Sequence, residues 1–294
     1  MKNEKPDESD CLGRSAERFI EKTMKEKRGW QLCKDGPEAY EKYIVPAFSG
    51  AWAQDIVQRA ALRKGDRVLD VGCGTGIVSR YAFKSLGKSI HITGVDINKT
   101  VIEKAREICL QNVIPIEWKQ ANSEALPFSD AKFNVVLCQQ GLQYFSDQPC
   151  ALTEINRVLV PQGRIIFSVW RSLEYFPFYS ALHSALEKYV SEKAALMLSS
   201  AFALGDPVQL RGLFESAGFK YIDICLIIKQ MRYSPLEEFL VGGFIASPFA
   251  DDILALDKSK SEKMFQEIRN SVSNYMDDHG LAAPMECYVV SAVK

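Results

Sequence analysis

The stretch Arg67–Gly76, RVLDVGCGTG, decides the fold of this chain. A short apolar run contains Asp70 and breaks into glycines at alternate positions, Gly72, Gly74 and Gly76. Apolar residues followed by a glycine-rich turn are typical of a buried strand that delivers the chain to a ligand. Glycine lets the backbone turn sharply and approach that ligand closely. The following residues, IVSRYAFKSL, have apolar positions at helical spacing, so the sequence predicts the first part of a nucleotide-binding βαβ unit.

The spacing of the glycines separates two classes of nucleotide-binding loop. Dinucleotide enzymes favour G-x-G-x-x-G, whereas here the third glycine comes one residue earlier and gives D-x-G-x-G-x-G. This spacing argues against a nucleotide-dependent oxidoreductase. A second apolar run, SIHITGVD, ends on Asp96, and a carboxylate at the end of a second strand can accept hydrogen bonds from both ribose hydroxyls of an adenosine. For the glycine stretch alone, a tight turn without a ligand is the alternative.

In combination, these motifs resemble those of the class I S-adenosylmethionine-dependent methyltransferases, over residues 40–170. The turn Pro161-Gln162-Gly163 between a predicted helix and the strand RIIFSVW adds to the resemblance, and CQQGLQYF is similar to a bacterial subgroup of the type-11 (UbiE-like) small-molecule methyltransferases. The resemblance implies an α/β, Rossmann-like fold with a seven-stranded, mostly parallel sheet and an antiparallel last strand. It also implies S-adenosyl-L-methionine as cofactor, S-adenosyl-L-homocysteine as product, and no metal.

The resemblance assigns expected roles to residues at the strand ends. Asp70 and the three glycines are expected around the methionine part of the cofactor, Asp96 at the ribose and Ile97 beside the adenine. Asn122 stands where the family usually has an acidic residue for the adenine amino group, and its amide oxygen can still accept from an adenine N–H. Ser123 is expected on the same edge. The cofactor-binding set is completed by two rings of the preceding helices, for which core packing is the alternative, and by the end of the fourth strand: Tyr43, Trp52 and Gln139.

The reaction implied by the resemblance is displacement at the methyl carbon of a sulfonium. The leaving group is a neutral thioether, so catalysis can come from holding the nucleophile in line and close. A base is needed only if the nucleophile must lose a proton first. No carboxylate pair or Cys–His pair stands out, and Gln143 and Tyr144 occupy the place of the family's frequent histidine pair. Gln140, Gln143 and Tyr144 are therefore the predicted catalytic, substrate-orienting residues, with packing against the glycine-loop helix as the alternative.

The flanks of the predicted fold indicate helical additions. Residues 1–12 are polar and are predicted to form a disordered leader, residues 13–62 an N-terminal helical cover, and residues 63–294 the methyltransferase domain. Helical patterns predict cap insertions at residues 171–205 and 234–283, and the second is expected over the substrate side.

Two local predictions concern the limits of elements in these flanks. Pro46 is expected to interrupt the helix that begins at Pro37, because proline inside a helix removes a hydrogen bond. The last strand is expected over residues 286–293, antiparallel to its neighbours.

Composition narrows the range of partners. The chain of 294 residues has a formal net charge of −1, so it has no overall electrostatic attraction to nucleic acid or to an anionic membrane. No apolar run reaches the length of a membrane span, and the eight cysteines contain no C-x-x-C pair, which favours free thiols and a cytoplasmic location. The predicted partner is an apolar or aromatic small-molecule methyl acceptor, and the chain is expected to be a monomer or homodimer. A protein or nucleic-acid methyltransferase, and a non-catalytic S-adenosylmethionine-binding protein, are the alternatives.

Overall fold

The computed structural model describes residue 32 and residues 35–233 and 235–294. The predicted leader and most of the first half of the predicted N-terminal cover lie outside the described residues. The strands are β1 (Arg67–Val71), β2 (His91–Asp96), β3 (Glu117–Gln120), β4 (Phe133–Gln139), β5 (Leu159–Trp170), β6 (Lys220–Tyr233), β7 (Met276–Asp277) and β8 (Gly280–Val293).

The helices fall into an N-terminal segment, the helices between the strands, and a cap. They are α1 (Gly36–Ala39), a π-helix (Tyr40–Ser49), α2 (Gly50–Ala60), α3 (Ile77–Leu86), α4 (Lys99–Gln111), α5 (Gln148–Val158), α6 (Pro177–Tyr189), α7 (Glu192–Ser199), α8 (Pro207–Ser216), α9 (Leu236–Ile245), α10 (Ala250–Leu254) and α11 (Lys258–Ser271). Short 3-10 turns cover Gly87–Ser89, Leu142–Tyr144, Leu173–Tyr175, Ser200–Phe202 and Ser273–Tyr275.

One mixed sheet organises the molecule, in the order β3-β2-β1-β4-β5-β8-β6, with the two-residue β7 paired to β8. The strands from β3 to β5 are mutually parallel. Strand β8 runs antiparallel to both β5 and β6. The predicted Rossmann-like fold with an antiparallel last strand is therefore confirmed, and the strand order reverses between β1 and β4, where open α/β sheets bind their ligands.

The central strands are buried on both faces, as expected for a parallel sheet covered by helices. One apolar core contains Trp52, Ile56 and Trp170, and the other contains Leu69 and Phe167 with their neighbours. Burial on both faces holds β1 and β4 side by side, so the carboxyl ends of these strands form one rigid edge.

Two elements differ from the sequence prediction. Pro46 lies inside a helix that runs without interruption from Gly36 to Ala60, and the segment around it is a π-helix. The last strand begins at Gly280 instead of residue 286, because its first residues pair with the far end of β6, Leu281 with Tyr233. The β6–β8 pair therefore extends beyond the rest of the sheet and supports the cap.

The cap consists of α6, α7 and α9–α11. Helix α6 packs on α7 and α11, and α9 packs on the π-helix. These contacts join the two helical insertions to the N-terminal helices over the ligand-binding edge of the sheet. No helix within the described ranges is long and apolar enough to cross a membrane.

Candidate functional site

The glycine loop follows β1 and has a backbone that glycine favours. Gly72, Gly74 and Gly76 have φ values of +66°, +53° and +87°, a region that other residues adopt only with strain. A Cβ at Gly74 would meet no atom within 4 Å. A Cβ at Gly76 would lie 2.3 Å from Cη2 of Trp118 on β3. Gly74 therefore leaves space for a ligand, whereas Gly76 leaves space for a buried indole.

A cavity of about 280 Å³ extends from this loop to the cap. Its loop half is lined by the glycine loop and by the ends of β2 and β3, and includes Gly72, Gly74, Asp96, Ile97, Asn122 and Ser123. Its cap half is lined by the π-helix and by cap helices, and includes Ile44, Phe48, Phe178, Leu182, Phe202 and Phe239. The residues at the end of β4 lie where the two halves meet.

Asp96 joins the loop to the end of β2. Its Oδ2 accepts the backbone N–H of Gly74 at 2.9 Å, and its Oδ1 accepts that of Asn98 at 2.8 Å. Burial raises the pKa of this carboxyl, and the backbone hydrogen bonds oppose that effect. Each carboxylate oxygen has a further lone pair, so Asp96 can accept hydroxyl donors from the cavity while holding the loop.

Asp70 lies at the end of β1, beneath the loop, and does not line the cavity. The side chain is fully buried, and Oδ2 accepts two hydrogen bonds from Ser79, from the backbone N–H at 3.1 Å and from Oγ at 2.7 Å. Oδ1 is buried and has no hydrogen-bond partner among the residues that the structure describes. Burial raises the pKa of Asp70 to about 7, and the nearby Asp96 contributes to the shift. A positive charge on a ligand in the neighbouring cavity would favour the ionised form of this carboxyl through space.

The predicted adenine residues lie together on the wall of the loop half. Asn122, Ser123 and Ile97 all line the cavity. Oδ1 of Asn122 accepts the backbone N–H of Glu124 at 3.0 Å, which forms a local turn. Its second lone pair is available to a ligand N–H.

Gln139 ends β4 and connects the sheet to the π-helix. Its Nε2 donates to both the carbonyl oxygen and Oγ of Ser49, each at 3.0 Å. Oγ of Ser49 lies 2.8 Å from the hydroxyl of Tyr40. Oε1 of Gln139 is buried, and no described residue forms a hydrogen bond with it. All three residues line the cavity. The sheet and the π-helix therefore contribute three hydrogen-bonded polar side chains to the cavity wall.

The two predicted aromatic cofactor residues are not among those that line the cavity. The Tyr43 ring lies against Gly242 of α9, where a Cβ would be 2.1 Å from the ring, and against Tyr233. Trp52 is fully buried, edge-on to Trp170 with ring centroids 5.8 Å apart. For both rings, packing is what the structure shows. Tyr40 lines the cavity although it is not among the predicted site residues. No pattern in the sequence indicates this position, because the orientation of its side chain depends on the π-helix.

The three predicted catalytic residues have different environments. Gln140 has a left-handed backbone, with φ +46°, and its Nε2 donates to Oγ of Ser168 at 2.9 Å, so its amide is held against the sheet. Gln143 is almost fully buried and does not line the cavity. Its side chain lies in the interior, which matches the packing alternative, and its role in orienting a substrate stays a prediction. Tyr144 lines the cavity, and burial raises the pKa of its hydroxyl.

Gly76 packs on Trp118 and is not among the residues that line the cavity, so its role in binding the cofactor stays a prediction. Within the described residues, no group of three or more His, Cys, Asp or Glu side chains is arranged to hold a metal ion.

Comparison with known proteins defines the class of the chain. A family model described as "Methyltransferase domain" matches residues 62–222, more than half of the 294 residues, and the chain belongs to this family. The demethylmenaquinone methyltransferase of Staphylococcus carnosus is 30% identical over 184 residues, which cover 59% of this chain and 76% of the relative. The enzyme of the same name from Staphylococcus aureus strain JH9 is 29% identical over 180 residues, with coverage of 57% and 73%.

Solved structures show the same fold. The YcgJ protein of Bacillus subtilis has a TM-score of 0.58 at 18% identity, covering 83% of this chain and 98% of its own. Phosphoethanolamine N-methyltransferase 2 of Haemonchus contortus, in complex with S-adenosyl-L-methionine, has a TM-score of 0.58 at 18% identity, covering 89% and 57%. These structures show the fold, and the family match together with the named relatives defines the chain as an S-adenosylmethionine-dependent methyltransferase, so the predicted class and cofactor are confirmed.

The residues present fit this cofactor. The loop half combines open space at Gly74 with hydrogen-bond acceptors at Asp96, and beneath the loop the carboxylate of Asp70 has one oxygen without a hydrogen-bond partner among the described residues. S-adenosylmethionine carries a positive sulfonium, an ammonium group and ribose hydroxyls, and each finds a complementary group in this set.

Proposed function

We propose that the chain methylates an uncharged, apolar small molecule of about the size of an aromatic ring system. The observation that carries the proposal is the composition of the cavity wall. Among the lining residues that the structure describes, Asp96 and Glu124 are the only charged side chains, and both belong to the loop half. A phosphate or carboxylate group of an acceptor would be desolvated in the cap half without a counter-charge, which is unfavourable.

The cofactor is assigned to the loop half. Gly72, Gly74 and Asp70 are assigned to its methionine part, Asp96 to the ribose, and the adenine is assigned to the wall formed by Ile97, Asn122 and Ser123. When bound, the cofactor supplies an electrophilic methyl group on a sulfonium. The cap half is then the space for the acceptor, and Gln139 and Tyr144 line the boundary between the two.

The protein's contribution to methyl transfer is positioning and exclusion of water. Burial raises the pKa of Tyr40, Tyr144 and Tyr179, which keeps these phenols protonated at neutral pH. Among the described residues that line the cap half there is no histidine and no carboxylate, so none of these side chains is assigned as a general base. The acceptor attacks through a lone pair or an electron-rich ring carbon, the methyl carbon–sulfur bond breaks to leave the neutral thioether, and a proton on the attacking atom is released to water. Catalysis rests on holding the attacking atom close and in line.

The named relatives support a small acceptor. Both Staphylococcus enzymes have demethylmenaquinone in their names. The aromatic rings of the cap half, including Phe178, Phe202 and Phe239, provide an apolar surface for ring-containing molecules.

The test is a transfer assay with S-adenosylmethionine labelled in the methyl group. A panel of neutral bicyclic phenols and quinols is compared with phosphoethanolamine, an oligonucleotide and a protein mixture. Label is expected only in the organic extract of reactions with neutral ring compounds. Transfer confined to the charged acceptors or to the macromolecules would overturn the proposal.

A matched pair of glycine variants tests the location of the acceptor. Gly243 lines the cavity, and a Cβ there would lie in ordinary contact, 3.8 Å from Cδ1 of Ile44. Gly243→Leu is expected to fill the cap half and lower turnover at least tenfold, with unchanged affinity for S-adenosylhomocysteine. Gly212→Leu, in α8 where a Cβ meets nothing within 4 Å, is the control and should keep full activity. Equal activity of the two variants would contradict the proposal.

A further inference from the structure

A chain of hydrogen bonds leads from the sheet into the cap half of the cavity. It begins at Nε2 of Gln139, which contacts the carbonyl oxygen and Oγ of Ser49, and continues to the hydroxyl of Tyr40. These side chains lie in a region lined mostly by apolar groups. In such surroundings a polar group is stable only when its hydrogen bonds are satisfied.

The carbonyl group of Ser49 determines which atoms donate and which accept in this series of hydrogen bonds. A carbonyl oxygen can only accept, so the atom of Gln139 that faces Ser49 must be the NH₂ group. Oγ of Ser49 therefore accepts a hydrogen bond from Gln139 and can donate its own O–H to the hydroxyl oxygen of Tyr40. In that arrangement the O–H of Tyr40 is left to donate to a further acceptor.

The π-helix is what brings Tyr40 to Ser49, since they are its first and last residues, nine positions apart. In an α-helix, nine residues make about two and a half turns and place the two side chains on opposite faces. The hydrogen bonds of a π-helix join residues five apart, so nine residues make about two turns and the side chains share a face. Such segments occur frequently at functional sites.

Tyr179 of α6 supplies a second donor. It lines the same half of the cavity, and its ring packs against Phe178 and Phe202 with centroid distances of 5.2 and 5.6 Å. Within the described part of the chain its hydroxyl has no hydrogen-bond partner. Burial raises the pKa of Tyr179, and the nearby phenol of Tyr40 raises it further. Both phenols therefore keep their protons, and both residues line the same cavity.

We infer that the hydroxyls of Tyr40 and Tyr179 form a donor site for an oxygen atom of the methyl acceptor. The inference rests on the proposed function and narrows it: the acceptor is a ring compound with a hydroxyl or carbonyl oxygen, held by these two donors in an otherwise apolar pocket. Ser49 and Gln139 are positioning residues, because they act through the orientation of the Tyr40 hydroxyl.

The experiment compares a ketone with its hydrocarbon. The probes are 1-tetralone, whose oxygen only accepts, and tetralin, which has the same rings without the oxygen. Binding of each is measured by calorimetry in the presence of saturating S-adenosylhomocysteine. Tyr40→Phe and Tyr179→Phe are each expected to weaken 1-tetralone about 3- to 10-fold, the range for one neutral hydrogen bond, and to leave tetralin within about twofold of its wild-type affinity.

The matched control is Tyr189→Phe, at the end of the same helix, whose hydroxyl instead donates to Glu267 at 2.7 Å. It should change neither affinity. Gln139→Leu is expected to weaken 1-tetralone in the wild-type background but not in the Tyr40→Phe background, which a merely structural role would not produce.

The outcomes separate the two proposals. If both probes bind and neither tyrosine variant changes their affinity ratio, the oxygen site is overturned while the apolar acceptor pocket stands. If the variants weaken S-adenosylhomocysteine instead of 1-tetralone, the hydroxyls face the cofactor and the inference is also overturned. If neither probe binds to the wild-type protein, the proposed acceptor pocket itself fails.

Discussion

The hydroxyl of Tyr40 lies 2.8 Å from Oγ of Ser49, although the two residues are nine positions apart in one helix. This contact joins the beginning of the N-terminal helical segment to the end of β4, because Ser49 also accepts from Gln139. The strand that carries the ligand-binding edge and the helix that covers the cavity are thus connected by polar side chains as well as by apolar packing.

Ser49→Ala removes the hydroxyl and keeps the backbone carbonyl. Both neighbouring groups lose a partner in a buried place, so we expect a loss of about 1 kcal/mol in the free energy of unfolding, with a range of 0.5–1.5 kcal/mol. Ser49→Thr keeps the hydroxyl and should therefore retain most of the free energy of unfolding that Ser49→Ala loses. Urea unfolding measures both. Ser271→Ala, at an exposed hydroxyl of α11, is the control, and a loss of the same size there would show that the effect is not specific to the Tyr40 contact.

Asp96→Ala tests the ribose assignment. Removal of a charged acceptor of two hydroxyl hydrogen bonds should cost roughly 2–4 kcal/mol of cofactor affinity, or tens to several hundredfold in Kd. The loop also loses its contact to the Gly74 N–H, so circular dichroism and thermal unfolding must first show a folded variant. Calorimetric titration with S-adenosylhomocysteine gives the affinity. Asp252→Ala, at an exposed position of α10, is the control, and an unchanged Kd for Asp96→Ala would rule out the assignment.

The pKa of about 7 at Asp70 predicts a specific dependence of stability on pH. The unfolded value is near 3.8, so between these two pH values the folded protein holds a proton that the unfolded chain has lost. Folding stability must therefore fall as the pH rises through this window. Asp70→Asn removes the titration and can still accept from Ser79.

The difference in unfolding free energy between Asp70→Asn and the wild type should grow between pH 4 and pH 7. Each pKa unit is worth about 1.4 kcal/mol. The unfolding free energy of the variant minus that of the wild type should therefore be about 2–4 kcal/mol larger at pH 8 than at pH 4. The cationic cofactor favours the ionised carboxyl, so wild-type affinity for S-adenosylmethionine should rise from pH 6 to pH 8, and the variant should lack this rise. If the unfolding free energies of Asp70→Asn and the wild type changed with pH in the same way, the raised pKa of Asp70 would be contradicted.

The sheet could be predicted from the sequence because its signals are local. Strand β1, helix α3 and strand β4 begin and end where the apolar patterns and glycines place them. Asp96 and Asn122 line the same cavity half for a general reason: the carboxyl ends of parallel strands meet at one edge of the sheet. The loop half of the cavity therefore follows from strand limits alone.

The cap half could not be predicted in this way. Phe178, Phe202 and Phe239 come from separate helices and meet only through tertiary packing. In the N-terminal segment, the π-helix turns Tyr40 into the cavity and leaves Tyr43 against Gly242 of the cap. Nothing in the local sequence distinguishes these two tyrosines, because helical periodicity is usually interpreted with α-helical spacing.

Gly74 and Gly76 provide the last prediction, because the same substitution should fail for different reasons at the two positions. Both have positive φ values, so alanine costs about 1–2 kcal/mol at each. Only Gly76 adds a steric conflict, since its Cβ would lie 2.3 Å from the buried ring of Trp118. We expect Gly76→Ala to lose about 1–3 kcal/mol more stability than Gly74→Ala, measured by urea unfolding. A second substitution, Trp118→Leu, should recover part of that loss in Gly76→Ala and none in Gly74→Ala. Cofactor affinity should follow the opposite order: Gly74→Ala should bind the cofactor at least tenfold more weakly than Gly76→Ala, because its methyl group would enter the cavity. Equal stability of the two variants would show that Trp118 does not limit the residue at position 76.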